Sequence, residues 1–201
     1  MTTADRAEIT APPLPRPKLN RTGFLREIID TLVLIAAIYA LVNLATVRFF
    51  VDGPSMEPTF YTGQRIIVSR VHYLLGQPQR GEIMVFDSPE ASPDDPPLIK
   101  RVIGLPGDSV QIRDQKVYIN GVELNEPYIN EACNSNRCRE NTWELGPDQY
   151  FVMGDNRNHS NDSRAFGPVD RSRIIGEAVV RYWPPSDWGI IIHARFPDEG
   201  F

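Results

Sequence analysis

Cysteine, histidine and excess positive charge are the features that this sequence has little of. Two cysteines among 201 residues cannot build a zinc cage made of cysteines alone. The three histidines, His72, His159 and His193, lie far apart, and none belongs to a His-x-x-x-His pair. Metal catalysis is therefore a weak starting hypothesis, and we expect no metal and no other cofactor.

Positive charge is also too scarce for a nucleic-acid-binding protein. The chain carries 21 basic and 26 acidic side chains, for a formal net charge of -5. No basic stripe is available to neutralise a phosphate backbone, so we expect no nucleic acid among its partners. Hydrophobic residues make up 41% of the chain, which is enough apolar surface for one globular domain with an appendage.

The appendage is N-terminal. Residues 1–30 are polar, and four prolines within residues 11–18 favour an extended tail. A run of seventeen uncharged residues follows, from 31 to 47, and a helix of that length reaches about 25 Å, the short end of a membrane span. With Arg48 snorkelling and Phe49 and Phe50 at the interface, the sequence predicts a transmembrane anchor over residues 31–50.

Two other interpretations of the apolar run are weaker. A buried core helix would show a polar face, whereas only Thr31, Asn43 and Thr46 interrupt this one. A cleaved signal sequence is disfavoured by the long leader and by the lack of a small-x-small site just after the run.

Basic residues predict the orientation of the anchor. They are concentrated before it, whereas Arg48 is nearly alone after it. The positive-inside rule then places residues 1–30 in the cytoplasm and residues 51–201 outside the cell membrane. The basic residues before the anchor are Arg6, Arg16, Lys18, Arg21 and Arg26.

Residues 51–201 are expected to form a mainly β domain, with an antiparallel sheet or a barrel-like arrangement. Short segments rich in β-branched and aromatic residues are separated by Gly, Pro, Asp and Asn. Asn120-Gly121 between two apolar runs predicts a type I′ hairpin turn, and residues 88–97, with four prolines, predict a loop. The predicted strands are 65–70, 82–86, 98–103, 110–112, 116–119, 150–153 and 178–183.

Cys133 and Cys138 lie in a polar stretch with four residues between them. On the oxidising side of a membrane, we expect a disulfide bond that closes a small loop. A reactive thiol is the weaker alternative, because it requires a positive environment that the sequence does not show.

Three stretches could carry chemistry. Ser55 has Gly53 and Pro54 before it and Pro58 after it, and such a constrained backbone can present a nucleophile at a fixed angle. By itself, a serine in this setting is more often a turn residue.

The second stretch contains Lys100, within an apolar strand. Because side chains alternate along a strand, either Lys100 or Arg101 must face the apolar side. If Lys100 does so, burial would lower the pKa of its amine and make it a general base, whereas Lys100 facing solvent would have no such role.

The third stretch, residues 154–164, follows a strand and is rich in turn formers and charges. A solvated surface loop is the simplest interpretation. However, Asp155, Arg157, Asp162 and Arg164 could pair with one another and hold the loop rigid around a site.

Together these stretches resemble the type I signal peptidases, membrane-anchored serine proteases that remove signal peptides from exported proteins. Residues 54–59 look like the nucleophile motif of that family, residues 100–108 like its lysine motif, and residues 154–164 like its Gly-Asp-Asn-x-x-x-Ser-x-Asp-Ser-Arg motif. Their order and the upstream anchor also agree, so the resemblance covers roughly residues 25–184.

The resemblance implies a role for each matched residue. Ser55 would be the nucleophile, Lys100 the general base and Ser160 the residue that orients the lysine amine. The Ser55 backbone N–H would serve the oxyanion hole, while Gly53 stands where some family members carry a second hydroxyl donor. Support from charged groups is expected at Asp155, Asp162, Arg164 and Arg101.

The resemblance also implies the substrate. Val51, Met56, Leu98 and Ile99 match positions that line shallow pockets for small side chains, so cleavage is expected after Ala-x-Ala-like sequences. The expected partners are the signal peptides of exported preproteins and the lipid bilayer.

Three alternatives remain from the sequence. His159 beside Ser160 could belong to a Ser-His-Asp triad, although the resemblance places the base at Lys100. A self-cleaving repressor-like protein would use Ser-Lys chemistry with a helix-turn-helix module in place of a membrane span. A non-catalytic, membrane-tethered β-domain that binds peptides would tolerate loss of Ser55 or Lys100.

Overall fold

The computed structural model describes residues 21–92 and 94–196, in which one long N-terminal helix precedes a β-rich domain. Helix α1 (Arg21–Ala45) contains 25 residues, and its segment Gly23–Ala45 is long and apolar enough to cross a membrane. The first twenty residues of the predicted tail lie outside the described residues, and its last ten are helical.

The predicted anchor boundary at residue 50 differs from the structure. Helix α1 ends at Ala45, where the Thr46 hydroxyl donates to the carbonyl of Val42 at 2.8 Å. Residues Thr46–Phe50 then form strand β1 and pair with β2. Arg48 and Phe49 therefore belong to the sheet, because an extended segment with β-branched and aromatic residues gains ladder hydrogen bonds that a helix end would leave unmade.

The predicted mainly β, antiparallel fold is confirmed. A large sheet has the strand order β1-β2-β11-β3-β4-β9-β10, with β12 paired to β11, and a small sheet has the order β7-β6-β5-β8. The strands are β1 (Thr46–Phe50), β2 (Arg65–Ser69), β3 (Ile83–Phe86), β4 (Leu98–Gly104), β5 (Ser109–Arg113), β6 (Lys116–Ile119), β7 (Val122–Glu123), β8 (Asn141–Glu144), β9 (Gln149–Met153), β10 (Val169–Asp170), β11 (Ile174–Trp183) and β12 (Gly189–Ile190).

Short helices connect some of these strands. They are α2 (Val71–Leu75), α3 (Ser163–Phe166) and 3₁₀ turns at Arg157–His159, Arg171–Arg173 and Pro185–Asp187. No helix of ten or more residues occurs within the described part of the β domain.

All seven predicted strands are present, and the predicted hairpin is confirmed. Ile119 pairs with Val122, and positive φ angles of 49° at Asn120 and 86° at Gly121 fit a type I′ turn. A second tight turn joins β5 to β6 at Asp114 and Gln115, with φ angles of 49° and 63°. The sequence did not indicate this turn, because no glycine is present there.

Strand β4 is the centre of the β domain. It lies between β3 and β9 in the large sheet. Its side chains contribute to three separate apolar clusters, through Ile99, Val102 and Ile103. A strand packed on both faces is held rigidly, so residues on β4 have well-determined positions.

Candidate active site

Ser55 lies in the loop between β1 and β2. Backbone hydrogen bonds of 2.9 Å between Val51 and Gln64, and between Gly63 and Val51, close the base of this loop. Met56 and Phe60 are fully buried beneath it and anchor it to the core. Ser55 itself is half-buried, so its hydroxyl is held at a fixed place but remains accessible.

Lys100 meets Ser55 from strand β4. Its side chain is only 3% exposed, and Nζ lies 2.8 Å from both Ser55 Oγ and the carbonyl of Ile99. In the described part of the chain, no carboxylate forms an ion pair with this amine.

The pKa of Lys100 is strongly perturbed. Burial lowers it from 10.5 to about 8; the charge of Arg164 adds to this effect, whereas those of Asp162 and Asp155 oppose it. A useful fraction of the amine is therefore neutral near neutral pH, as a general base requires.

Arg101, the next residue on β4, is equally buried but fully paired. Its Nε and one terminal nitrogen donate to the two oxygens of Asp155 at 2.8 and 2.6 Å. The other terminal nitrogen donates to the carbonyl of Gly81 at 2.8 Å, and the guanidinium lies 4.1 Å from the centre of the Tyr128 ring. Asp155 also accepts a hydrogen bond of 2.5 Å from the Thr59 hydroxyl, which ties this ion pair to the loop that carries Ser55.

Asp162 organises the polar loop after β9. It accepts from the Gly154 backbone N–H at 3.0 Å and from two nitrogens of Arg164 at 2.8 and 2.7 Å. Burial alone would raise the pKa of Asp162, but Arg164 and the Gly154 N–H outweigh it and the pKa is lowered. Asp162 therefore remains an anion near Lys100.

Ser160 lies close to both Ser55 and Asp162. A Cβ added to Gly154 would come within 2.3 Å of Ser160 Oγ and 2.4 Å of the Ser55 carbonyl oxygen, so glycine is required there. The Ser160 hydroxyl is close enough to Asp162 to help lower the pKa of that carboxyl. Within the described residues, however, the Ser160 hydroxyl forms no hydrogen bond with both a suitable distance and a suitable angle. The predicted contact between Ser160 and Lys100 is therefore not formed in this arrangement.

Part of the support for this loop comes from a residue that no sequence pattern indicates. Arg157 is 2% exposed; it donates to the Gly154 carbonyl at 3.1 Å and to both oxygens of Glu126. The loop composition singled out Arg157, but nothing in the sequence indicated Glu126, which is 31 residues away.

A disulfide bond joins Cys133 and Cys138. One terminal nitrogen of Arg164 lies 3.3 and 3.4 Å from the two sulfurs, and it also donates to the Arg157 carbonyl at 2.8 Å. The small disulfide loop thus packs against the arginine that pairs with Asp162.

The four apolar residues expected to line pockets do not share one surface. Val51, Met56 and Ile99 are almost fully buried in one cluster with Phe60. Leu98 is half-buried against a different cluster, because neighbouring residues on a strand point to opposite faces. The first three therefore form a floor beneath the Ser55 loop, and Leu98 lies apart from them.

Gly53 has a φ angle of 87° and open space around its Cα. A side chain there would be strained by the backbone rather than by neighbours. His159 is exposed in the loop, and within the described residues the Ser55 hydroxyl is hydrogen-bonded to Lys100 alone. The triad alternative therefore receives no support from this geometry.

Comparison with known proteins adds independent information. A family model described as "Signal peptidase, peptidase S26" matches residues 25–183. Probable signal peptidase I-2 of Synechocystis is 41% identical over 150 residues, which cover 71% of this chain and 65% of that protein. Probable signal peptidase I-1 of the same organism is 40% identical over 189 residues, 88% of this chain and 90% of that protein.

Among solved structures, a signal peptidase I from Enterococcus faecalis is 38% identical. The matched region covers 51% of this chain and 97% of the Enterococcus chain, with a TM-score of 0.44.

Proposed function

The chain belongs to the signal peptidase family, peptidase S26, and on this premise we propose that it is a membrane-anchored serine endopeptidase that removes signal peptides from exported preproteins. The observation that carries this proposal is the 2.8 Å contact between Lys100 Nζ and Ser55 Oγ. A buried amine with no carboxylate partner and a pKa of about 8 has the properties of a general base.

The chemistry follows from this pair. Neutral Lys100 accepts the hydroxyl proton of Ser55 as Oγ attacks the scissile carbonyl carbon. The protonated amine then gives the proton to the leaving nitrogen of the peptide, and an acyl-enzyme remains on Ser55. Water, deprotonated by the same amine, hydrolyses the ester and restores both residues.

The oxyanion of the tetrahedral intermediate requires hydrogen-bond donors. The backbone N–H of Ser55 is the first donor that we propose, because it donates to no protein acceptor among the described residues. Gly53 has no side chain, so the second donor must come from another residue. The positive φ of Gly53 shapes the turn before the nucleophile.

Ser160 is the residue that we propose to orient the lysine amine when substrate is bound. Its hydroxyl is buried and forms no well-aligned hydrogen bond within the described residues. A change of side-chain rotamer about its Cα–Cβ bond could turn the hydroxyl toward the amine. Asp162 and Arg164 hold the backbone on either side of it, and Asp155 with Arg101 fixes the neighbouring turn.

The proposed substrate is a preprotein with small residues before the cleavage site. Val51, Met56 and Ile99 are buried in one apolar cluster under the Ser55 loop, so we expect only shallow depressions for the side chains next to the scissile bond. Small side chains such as those of an Ala-x-Ala sequence suit such a surface.

Helix α1 would hold the enzyme at the bilayer where its substrates are delivered. Its segment Gly23–Ala45 has the length and composition of a span. The basic residues that precede it favour a cytoplasmic N-terminus, which places the β domain outside the cell membrane.

The test is cleavage of a preprotein bearing an Ala-x-Ala site by the detergent-solubilised protein. We expect a cut after the second alanine, located by mass spectrometry. Ser55→Ala and Lys100→Ala should each lower kcat/KM by on the order of 10⁴-fold, because each removes a reacting group. Lys116→Ala, which removes an exposed lysine on β6, is the matched control and should keep full activity.

A peptide-binding domain without catalysis would give a different result. It would bind the preprotein equally well in all four forms and leave it uncut. Equal cleavage by the Ser55→Ala protein would exclude the proposed nucleophile.

A further inference from the structure

A second cluster of ionisable side chains lies outside the Ser55–Lys100 pair. It consists of His72 on α2, Glu82 just before β3 and Glu177 on β11. One ligand atom from each of the three residues lies within 4.8 Å of the others. Both glutamates are only 7% exposed, so the two carboxylates are buried and do not belong to a solvated acidic patch.

The His72 ring lies between the two carboxylates. Its Nε2 is 3.5 Å from Glu82 Oε1, and its Nδ1 is 3.2 Å from Glu177 Oε2. The ring is partly exposed, with 43% of its side-chain surface accessible. It can therefore turn to present either nitrogen without disturbing the core.

Each carboxylate is held in place through its other oxygen. Glu82 Oε2 accepts from the Tyr73 hydroxyl and from the Gln79 backbone N–H, both at 3.0 Å. Glu177 Oε1 lies 2.8 Å from His193 Nε2. Metal-binding carboxylates are oriented in the same way, by hydrogen bonds to the oxygen that does not face the ion.

The charges of this cluster do not balance. His193 Nδ1 accepts a hydrogen bond of 3.1 Å from the Ile83 N–H, which leaves Nε2 as the only protonated nitrogen and makes this ring neutral. In the described residues, the ion pairs of both glutamates involve histidines and neither lysine nor arginine. Two buried carboxylates thus share His72 as the one imidazole that can carry a positive charge, and burying such charge is costly unless a cation compensates it.

We propose that His72, Glu82 and Glu177 bind a divalent transition metal ion of the zinc type. Imidazole nitrogen and carboxylate oxygen are both zinc ligands, with bonds of about 2.0–2.2 Å, and ligand atoms in a tetrahedral shell lie about 3.3 Å apart. Only one nitrogen of the His72 ring can bind a given ion, so the ring would turn that nitrogen toward both carboxylates. The three ligand atoms, which lie within 4.8 Å of one another, would then draw together around the ion. Water from the adjoining cavity of about 770 Å³, which His72, Glu82, Glu177 and His193 help to line, completes the coordination.

The metal would join segments that are distant in sequence. It would tie α2 and the C-terminal segment carrying His193 to strands β3 and β11. The carbonyl of Glu82 also accepts from the Val102 N–H at 2.8 Å, and the carbonyl of Gly81 accepts from Arg101. The proposed metal would therefore stabilise the segments that hold β4 in place, and it takes no part in the reaction at Ser55.

The test uses the full chain in detergent, purified without a polyhistidine tag and stripped with EDTA. Zinc chloride is titrated by calorimetry, and thermal unfolding is followed with and without the metal. We expect one saturable site with micromolar or tighter affinity and a rise in Tm of several degrees. Hydrogen exchange in residues 189–196 should also slow when zinc is added, because His193 is bonded to a ligand.

Variants distinguish binding at this site from non-specific zinc binding elsewhere on the protein. His72→Ala and the isosteric Glu177→Gln should each weaken zinc binding at least 100-fold. Tyr73→Phe, which removes one hydrogen bond to Glu82, should weaken it about tenfold. His159→Ala removes an exposed histidine and should bind like the unmodified protein.

Three results would overturn the proposal. They are the absence of a saturable site, unchanged binding by His72→Ala or by Tyr73→Phe, and equal binding of calcium chloride and zinc chloride. In each case the cluster would be an ion triad of His72 and two glutamates without a metal.

Discussion

Lys100 and Arg101 are adjacent basic residues on the same strand, but only Arg101 is paired with a carboxylate. They are 3% and 2% exposed, so both are buried. Arg101 has a carboxylate, a carbonyl and an aromatic ring as partners, whereas Lys100 has a hydroxyl and a carbonyl. One position of β4 therefore carries a structural ion pair, and the next carries an amine whose charge is not compensated by a carboxylate.

The difference shows why each residue type stands where it does. A guanidinium stays charged at any physiological pH, so it must be paired when buried. An ammonium can lose its proton, and burial without a carboxylate promotes that loss. Exchanging the two residue types would therefore remove the base and leave Asp155 with a poorer partner.

The largest effect on folding is expected from Arg101→Met. The change leaves Asp155 buried without its bidentate partner, and it should lower the free energy of unfolding by about 3–5 kcal/mol. Thermal or urea unfolding of the solubilised protein would measure this loss. Arg113→Met, at a half-exposed arginine, is the control and should change stability little. A small effect at Arg101 would mean that the pair contributes no more than a surface one.

Lys100→Met should have the opposite effect on stability while abolishing activity. The pKa of Lys100 is about 8 in the fold and 10.5 as its ordinary value, so below pH 8 the native state pays for holding a charged amine. This cost is up to about 3 kcal/mol, and it disappears as the pH rises from 8 to 10.5.

Unfolding at pH 7 and at pH 10.5 would reveal this dependence. The methionine variant should be the more stable protein at pH 7 and should lose that advantage at pH 10.5. Destabilisation of equal size at both pH values would show that Lys100 is a packing residue and not a strained cation.

Gly154→Ala should affect catalysis directly, because Gly154 packs against both Ser55 and Ser160. The added Cβ would overlap the Ser160 hydroxyl and the Ser55 carbonyl, and moving Ser55 by about 1 Å should cost about 100-fold in kcat. Gly53→Ala, where there is space but a strained φ, should cost far less in kcat. Similar kinetics for the two variants would indicate that backbone strain, and not contact with Ser55, is the determinant.

The smallest effect concerns pH. The logarithm of kcat/KM should rise with pH at slope one and level off near pH 8, because only neutral Lys100 accepts the Ser55 proton. Asp162 raises the pKa of Lys100, so Asp162→Asn should move this acidic limb to lower pH. An acidic limb at pH 9 or above would contradict a depressed lysine pKa.

Much of the candidate site could be predicted from the sequence because it is local. Pro54 and Pro58 flank Ser55, and Lys100 lies in an apolar strand, so both were recognisable from their neighbours. Two contacts could not be predicted, namely that of Arg157 with Glu126 and that of Arg101 with the Gly81 carbonyl. Both partners come from distant loops, and no local sequence pattern indicates which loops meet.

The helix boundary illustrates the same limit. The uncharged run ends at residue 47, and the prediction extended the anchor to residue 50 because Arg48 can snorkel and Phe49 and Phe50 suit a membrane interface. Pairing of Val47 and Phe49 with β2 makes them a strand, and this pairing depends on a segment about twenty residues further along the chain.

By itself, the sequence determined the apolar helix, the succession of short antiparallel strands, the Asn120-Gly121 turn and the identity of the residues suited to the chemistry. These features depend on side-chain periodicity and on φ preferences, which act over a few residues. Only the tertiary structure decided which buried cation receives a carboxylate, where Ser160 points, and that His72 lies between Glu82 and Glu177. Those outcomes depend on desolvation and on contacts between distant segments, which arise only when the sheet is assembled.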